Sequence, residues 1–82
     1  MEILKFSTPW CGGCKIVAPY FEEFSTLYKV TNINAEEDRE EVEKYKVKNL
    51  PSIIVLKDGV EVDRLVGRKS KTEYKQLFET YK

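Results

Sequence analysis

At its most distinctive point the chain reads Trp10-Cys11-Gly12-Gly13-Cys14-Lys15, and the two cysteines in this stretch are the only ones among 82 residues. A disulfide between them would close a very small loop and would restrict the unfolded chain little, so it suits opening and closing better than stabilising a fold. The pair lies where an apolar segment, Ile3–Ser7, is followed by residues with helical periodicity. We therefore take this stretch as the point around which the fold and the function are organised.

Apolar residues cluster or alternate in some segments and recur every three or four residues in others, which predicts strands and helices respectively. A right-handed crossover would make the first two strands parallel, and the Lys57-Asp58-Gly59 turn would join the last two as an antiparallel hairpin. We therefore expect one α/β domain over residues 1–82, with a four-stranded mixed sheet flanked by three helices in the order β-α-β-α-β-β-α. The predicted segments are a strand at Ile3–Ser7, a helix from Cys11, a strand at Lys29–Asn34, a helix from Asn34 to about Tyr45, strands at Ile53–Leu56 and Val60–Val66, and a helix that follows Ser70–Glu73.

Four residues within these segments carry specific expectations. Lys5 lies in the middle of the first strand, on the same face as Ile3. Pro19 lies inside the first helix, where the loss of a backbone donor is expected to kink it. Asn34 is predicted to cap the second helix, since acidic residues follow it as they do in a helical first turn. Ser70 is predicted to form a capping box with a glutamate three residues later.

The composition excludes several classes of function. The chain has 14 Lys and Arg against 14 Asp and Glu, and it has no basic stripe interleaved with aromatic residues, so nucleic acid and charged membrane surfaces are not expected partners. No apolar segment is long enough to span a bilayer, and the start lacks the features of a signal peptide. The expected location is cytoplasmic, where a close cysteine pair is more often catalytic or metal-binding than a structural disulfide.

A metal site is the alternative for such a pair. A tetrahedral zinc site takes four ligands, and the chain offers no histidine and no second cysteine pair. Two chains could still supply four thiolates to a metal ion or an iron–sulfur cluster at a dimer interface. This alternative remains open at the level of sequence.

The position of the pair predicts different chemistry for the two thiols. Cys11 would lie at a helix N-terminus, where free backbone N–H groups and the helix dipole favour the thiolate and lower its pKa. Cys14, one turn further along, would be shielded. Cys11 would then attack a substrate disulfide and Cys14 would resolve the mixed disulfide. Lys15 adds a positive charge that would favour the thiolate.

Several ordered motifs resemble the thioredoxin superfamily over nearly the whole chain. The cysteine stretch is similar to the family's Trp-Cys-Gly-Pro-Cys-Lys, with Gly13 in place of the proline. The other matching motifs are Ala18-Pro19, Leu50-Pro51-Ser52, Lys57-Asp58-Gly59 and Val66-Gly67. The resemblance implies a minimal thioredoxin fold and a thiol–disulfide oxidoreductase that reduces protein disulfides without a metal or organic cofactor.

The resemblance also implies roles for residues and partners. Pro51 would be cis and would hold the Leu50 backbone where an extended substrate peptide can pair with it. An apolar rim that receives partners would consist of Trp10, Gly12, Leu50, Val66 and Gly67. The implied partners of the monomer are disulfide-containing client proteins, a thioredoxin-reductase-type flavoprotein as electron donor and, by analogy, ribonucleotide reductase as a client.

Two departures from the family pattern leave alternatives open. The short length and the Phe6-Ser7-Thr8-Pro9 segment look more like a glutaredoxin, which would be reduced by glutathione.

Lys5 falls where the family has a buried aspartate, and the lysine that neighbours that aspartate falls at about Val30. Full-length thioredoxins carry a further strand and helix before the first strand seen here. Without them the face would be open and the Lys5 ammonium would reach water. The alternative is that Lys5 tunes the thiols. In the second case it would stabilise a thiolate as a cation or take the Cys14 proton as a neutral amine.

Overall fold

The computed structural model describes residues 1–82 and contains one four-stranded sheet and three helices. The strand order is β2-β1-β3-β4, with β1 parallel to β2 and antiparallel to β3. This confirms the predicted four-stranded mixed sheet with its parallel first pair. None of the three helices has the length and hydropathy that a membrane-spanning segment requires. The elements are β1 (Glu2–Ser7), α1 (Gly12–Phe24), β2 (Lys29–Asn34), α2 (Arg39–Lys44), β3 (Ser52–Lys57), β4 (Val60–Val66) and α3 (Lys71–Tyr81).

The strand register brings four connections together at one end of the sheet. Ser7 lies opposite Asn34, so β1 and β2 end side by side. Ser52, the first residue of β3, lies between Phe6 of β1 and Val66 of β4. The segments that follow β1, β2 and β4, and the segment that precedes β3, therefore share this end. The cysteine pair follows β1, so these segments are its neighbours.

Two apolar cores cover the two faces of the sheet. Because successive side chains of a strand point to opposite faces, Ile3 packs with α1 and α3, whereas Leu4 and Phe6 pack on the face of α2. Aromatic rings dominate the first core, where Phe21, Phe24 and Phe78 meet edge to face. These ring contacts join α1 to α3, and the same core packs both helices on the sheet, with the cysteine pair at the N-terminus of α1.

The predicted start of the second helix is wrong. The Asn34 side-chain oxygen accepts hydrogen bonds from the backbone N–H groups of Glu36 at 2.9 Å and Glu37 at 3.4 Å, which makes a turn and not a helix. The helix begins only at Arg39, and Asp38 caps it by accepting from the N–H of Glu41. An asparagine can satisfy the N–H groups of a turn or of a helix equally well, so its side chain alone does not mark the start of the helix.

Local signals at the hairpin and the last helix are confirmed. Asp58 and Gly59 have φ values of 54° and 79°, as the tight turn between β3 and β4 requires. Ser70 and Glu73 form both hydrogen bonds of the predicted capping box at the start of α3. Gly67 ends β4 with a φ of 87°.

Candidate active site

The two cysteines form a disulfide at the N-terminus of α1. Cys11 is the N-cap residue with an extended backbone, and its Sγ accepts a hydrogen bond from the N–H of Cys14 at 3.2 Å. Cys14 is 4% exposed, whereas Cys11 is only half-buried. The predicted placement at the helix end and the predicted difference in shielding are both present. Of the two sulfur-bearing residues, Cys11 is the more accessible to a second molecule.

The electrostatic surroundings of the pair favour a thiolate when the disulfide is open. The first turn of α1 carries no acidic side chain, so no nearby carboxylate in that turn opposes the positive end of the helix dipole. Lys15 directly follows Cys14 and is exposed. A thiolate at the N-cap would accept from the free N–H groups of this turn, as the Cys11 sulfur already does.

The wall opposite the disulfide comes from the segment before β3. The Leu50–Pro51 peptide bond is cis, as the resemblance implied. The carbonyl of Pro51 accepts a hydrogen bond from the N–H of Gly67 at 2.8 Å, which ties this segment to the end of β4. A side-chain carbon added to Gly13 would lie 3.4 Å from Cδ of Pro51. Pro51 therefore faces the residues between the two cysteines.

The remaining predicted rim residues surround this contact. Trp10 is 73% exposed and Val66 is also exposed, so both offer apolar surface beside the disulfide. Gly12 is exposed, and Leu50 and Gly67 are half-buried. All of them belong to the segments that meet at one end of the sheet. The indole Nε1 of Trp10 donates to the Glu36 carboxylate at 2.6 Å, a contact that the sequence did not indicate.

Lys5 is buried at 8% exposure on the α1 face of the sheet. Its Nζ lies 5.9 Å from the centroid of the Phe21 ring, and burial lowers the pKa of the Lys5 ammonium below its ordinary value. The side chain opens into a cleft of about 240 Å³, and neither cysteine lines this cleft. The remaining lining residues are Ala18, Phe21, Glu22, Ser25 and Asn32.

The register corrects the neighbour that the sequence assigned to Lys5. Val30 lies opposite Ile3, and the β2 residue opposite Lys5 is Asn32. Because a parallel pairing has no short turn to set its register, the spacing along the chain does not give it. The group that flanks the Lys5 amine on β2 is therefore a neutral amide and not an apolar side chain.

A loop that sequence reasoning missed also borders the site. A side-chain carbon on Gly13 would lie 3.5 Å from Cβ of Arg68, the residue after Gly67. The buried hydroxyl of Tyr74 donates to the carbonyl of Gly67 at 3.2 Å and accepts from the N–H of Lys69 at 3.2 Å. Burial raises the pKa of Tyr74, so the hydroxyl stays protonated and can donate. The only signal in the sequence was a charged residue directly after the glycine that ends β4.

The chain contains no cluster of three or more His, Cys, Asp or Glu side chains placed to hold a metal ion. The two sulfur atoms are bonded to each other. What the arrangement offers chemically is a disulfide at a helix end, with Cys11 the more exposed of its two residues, beside an apolar rim. This is a site for thiol–disulfide exchange.

Comparison with known proteins gives a consistent result. The family model described as Thioredoxin matches residues 1–80. Thioredoxin from Bacillus subtilis is 40% identical over 76 residues, covering 88% of this chain and 73% of that protein. Thioredoxin 1 from a Nostoc species is 32% identical over 83 residues, covering 96% and 78%. Among solved structures, thioredoxin from Plasmodium falciparum superposes with a TM-score of 0.91 at 34% identity, covering 99% of this chain and 81% of that chain.

Proposed function

The chain belongs to the thioredoxin family and is a thiol–disulfide oxidoreductase, and from this premise we propose that Cys11 is its nucleophile and Cys14 its resolving thiol. The observation that carries this assignment is the difference in accessibility between the two. Cys11 is half-buried at the helix N-cap, whereas Cys14 is 4% exposed one turn further along. A bulky client disulfide can reach only the first of these sulfurs.

The proposed reaction transfers two electrons from the dithiol to the client. The Cys11 thiolate attacks one sulfur of the client disulfide, a new bond forms between these two sulfurs, and the other client sulfur leaves as a thiolate. The Cys14 thiol then loses its proton and attacks the Cys11 sulfur, and the second client sulfur leaves. Both client thiolates take up protons, and the protein ends with the Cys11–Cys14 disulfide.

The rim around the disulfide is proposed to bind the client. Trp10 and Val66 offer exposed apolar surface at the end of the sheet where the reacting sulfur lies. Leu50 and Pro51 form the opposite wall, and the Leu50 backbone is proposed to pair with an extended client segment. Gly12 and Gly67 carry no side chain that would block the approach. Lys15 is proposed to lower the pKa of the Cys11 thiol, and Lys5 to reach solvent through its cleft without acting on the thiols.

The proposed partners follow from the family. Disulfide-containing proteins, ribonucleotide reductase among them, are the proposed clients. A thioredoxin-reductase-type flavoprotein that draws on NADPH is the proposed electron donor. The proposed setting is the cytoplasm, since cytoplasmic thiol systems keep such dithiols reduced. The protein is proposed to act as a monomer.

The roles of the cysteines are tested with two matched variants. Reduced Cys14→Ser should form a stable mixed disulfide with a client protein, because nothing resolves it. Reduced Cys11→Ser should form none, since the remaining thiol is shielded. Mass spectrometry of the adducts reads out both results. A stable adduct with Cys11→Ser and none with Cys14→Ser would reverse the assignment.

The electron donor is tested with the wild-type protein in its oxidised form. Reduction by NADPH and a thioredoxin reductase is expected to be faster than reduction by glutathione at cytoplasmic concentrations. Monobromobimane labelling of the free thiols over time measures both rates. Faster recycling by glutathione would instead assign the protein a glutaredoxin-like role.

A further inference from the structure

Two loops of opposite charge flank the disulfide at the same end of the sheet. Glu36-Glu37-Asp38 follows β2 at one edge, and Arg68-Lys69 follows β4 at the other. The cysteine pair follows β1, which lies between these edges. Neighbouring strands are about 4.8 Å apart, so the two loops are separated by roughly 14 Å across the site. The surface that receives a client is therefore acidic on one side and basic on the other.

Arg68 is the charge of the basic loop that lies closest to the residues between the cysteines. Its Cβ would be 3.5 Å from a side-chain carbon placed on Gly13. Arg68 is exposed, and no ion pair in the structure includes its guanidinium. A guanidinium without an ion-pair partner, carried on a residue whose Cβ lies against the segment between the cysteines, is free to bind a carboxylate on an incoming molecule.

The backbone on both sides of Arg68 is held in place. The hydroxyl of Tyr74 bonds to the carbonyl of Gly67 and to the N–H of Lys69, the residues directly before and after Arg68. Tyr74 is itself fully buried in the core between the sheet and the helices. The backbone from which the Arg68 side chain projects is therefore held in place beside the site.

The acidic loop on the other side limits where a client can carry negative charge. The Glu36 carboxylate accepts the indole hydrogen bond of Trp10 and so lies beside the rim. Glu37 and Asp38 follow it directly in the chain. A carboxylate of the client that approaches this loop would meet like charge, whereas one near Arg68 would meet opposite charge.

We propose that Arg68 is a specificity-determining residue that binds an acidic side chain of the client close to the cysteine under attack. An extended peptide advances about 3.3 Å per residue, so the carboxylate of a residue two or three positions from that cysteine comes within reach. Because the basic and acidic loops lie on opposite sides, the acidic residue is favoured on one side of the client cysteine only. This inference rests on the proposed role of Cys11 as the nucleophile.

The test uses the reduced protein in excess and short peptides whose single cysteine is linked to a small neutral thiol. The reference peptide carries Gln both two residues before and two residues after the cysteine. Four further peptides each replace one of these two Gln residues with Glu or with Lys, which makes five peptides in all. The rate at which the peptide thiol is released is measured for each. The favoured Glu peptide should react about threefold faster than the Gln peptide, as expected of a solvent-exposed ion pair. The peptide with Lys at that position should react more slowly than the Gln peptide.

Matched variants assign the preference to Arg68. Arg68→Gln should abolish it, and Arg68→Glu should reverse it in favour of Lys. Lys57→Glu makes the same charge change as Arg68→Glu but at the opposite end of the sheet. It should keep the wild-type preference. Salt at about 1 M, where the screening length falls to about 3 Å, should remove the preference without stopping the reaction.

The outcomes separate this inference from the proposed function. If the Gln peptide is not reduced, the proposed function itself is wrong. If the Gln peptide is reduced but the Glu peptides react no faster, or if Arg68→Gln keeps the preference, only the role of Arg68 is wrong. Equal acceleration by Glu on both sides of the cysteine would also contradict the proposed arrangement of the two loops.

Discussion

The indole Nε1 of Trp10 donates a hydrogen bond to the Oε2 atom of Glu36 at 2.6 Å. Trp10 is otherwise 73% exposed, so this bond is what orients the ring beside the disulfide. Glu36 in turn lies in the turn that Asn34 stabilises through its side-chain oxygen. The rim of the site is thus partly organised by a loop that the sequence separates from the cysteines by more than twenty residues.

Removing this bond should loosen the ring without unfolding the protein. Glu36→Ala is expected to lower the fluorescence anisotropy of Trp10, the only tryptophan, and to make it easier to quench with acrylamide. The rate of client reduction should fall by about fivefold or less, since an exposed hydrogen bond contributes about 1 kcal/mol. Glu37→Ala, which removes the adjacent carboxylate but not the bond, should change neither the anisotropy nor the quenching.

Lys5 should destabilise the fold at neutral pH. Replacing it with methionine removes a partly desolvated charge and keeps the length of the side chain, so Lys5→Met is expected to raise the free energy of unfolding by roughly 1 kcal/mol at pH 7. Urea denaturation of the oxidised protein measures it. Lys57→Met, at an exposed lysine, should stay within about 0.5 kcal/mol of the wild type. A less stable Lys5→Met protein would contradict the expectation.

The effect of Lys5 should depend on pH in a defined direction. Burial lowers the pKa of Lys5 in the folded state from its ordinary value of 10.5. Between the lowered pKa and 10.5 the unfolded chain binds more protons, so the wild type gains stability as the pH rises through this range. The advantage of Lys5→Met should therefore shrink toward pH 10.5. The thiol pKa values should be the same in both proteins, and a shift in either would instead indicate that Lys5 tunes the thiols.

Gly12 should tolerate a side chain at a gain in stability. It lies in the first turn of α1, and a side-chain carbon there would meet no atom within 4 Å. Gly12→Ala is expected to stabilise the oxidised protein by about 0.5–1 kcal/mol, because alanine restricts the unfolded chain more than glycine does. Gly67→Ala makes the same change at a φ of 87° and should cost roughly 1 kcal/mol. Thermal unfolding distinguishes the two.

Tyr74 should connect the stability of the core to the shape of the site. Tyr74→Phe removes both hydrogen bonds that hold the loop around Arg68, and it is expected to lower the free energy of unfolding by about 1–2 kcal/mol. The preference for an acidic client peptide should weaken in this variant. Tyr81→Phe removes an exposed hydroxyl that contacts Asp63 and should change stability by less than about 0.5 kcal/mol. An unchanged stability in Tyr74→Phe would contradict the expectation that these two hydrogen bonds stabilise the fold.

Local features of this protein were predictable because each depends on a few neighbouring residues. The helix after Cys11 follows from apolar spacing, the hairpin from Asp58-Gly59, and the cap of α3 from Ser70 and Glu73. The spacing of the cysteine pair and its place before a helix indicated a redox site, although they did not exclude a metal site shared between two chains. In these segments the preferences of the local chain agree with the tertiary structure.

The start of α2 was not predictable in this way. Asn34 offers one acceptor that can satisfy either a turn or a helix end, and the chain uses it for the turn. The helix begins after Asp38, which is also a good N-cap residue and could equally have been predicted as the cap. Local side-chain chemistry allows the helix to begin after either residue, and in the folded chain it begins after Asp38.

Periodicity and turn chemistry act over short distances, so the amino-acid sequence was enough to predict the order of the elements, the mixed sheet and the reactive pair. The folded chain was needed to show that Asn32 flanks Lys5, that Glu36 holds Trp10 and that Arg68 lies against Gly13. Each of these contacts joins segments that are far apart in the chain. Strand register and the order β2-β1-β3-β4 bring them together, and both are set by how the whole chain buries its apolar faces.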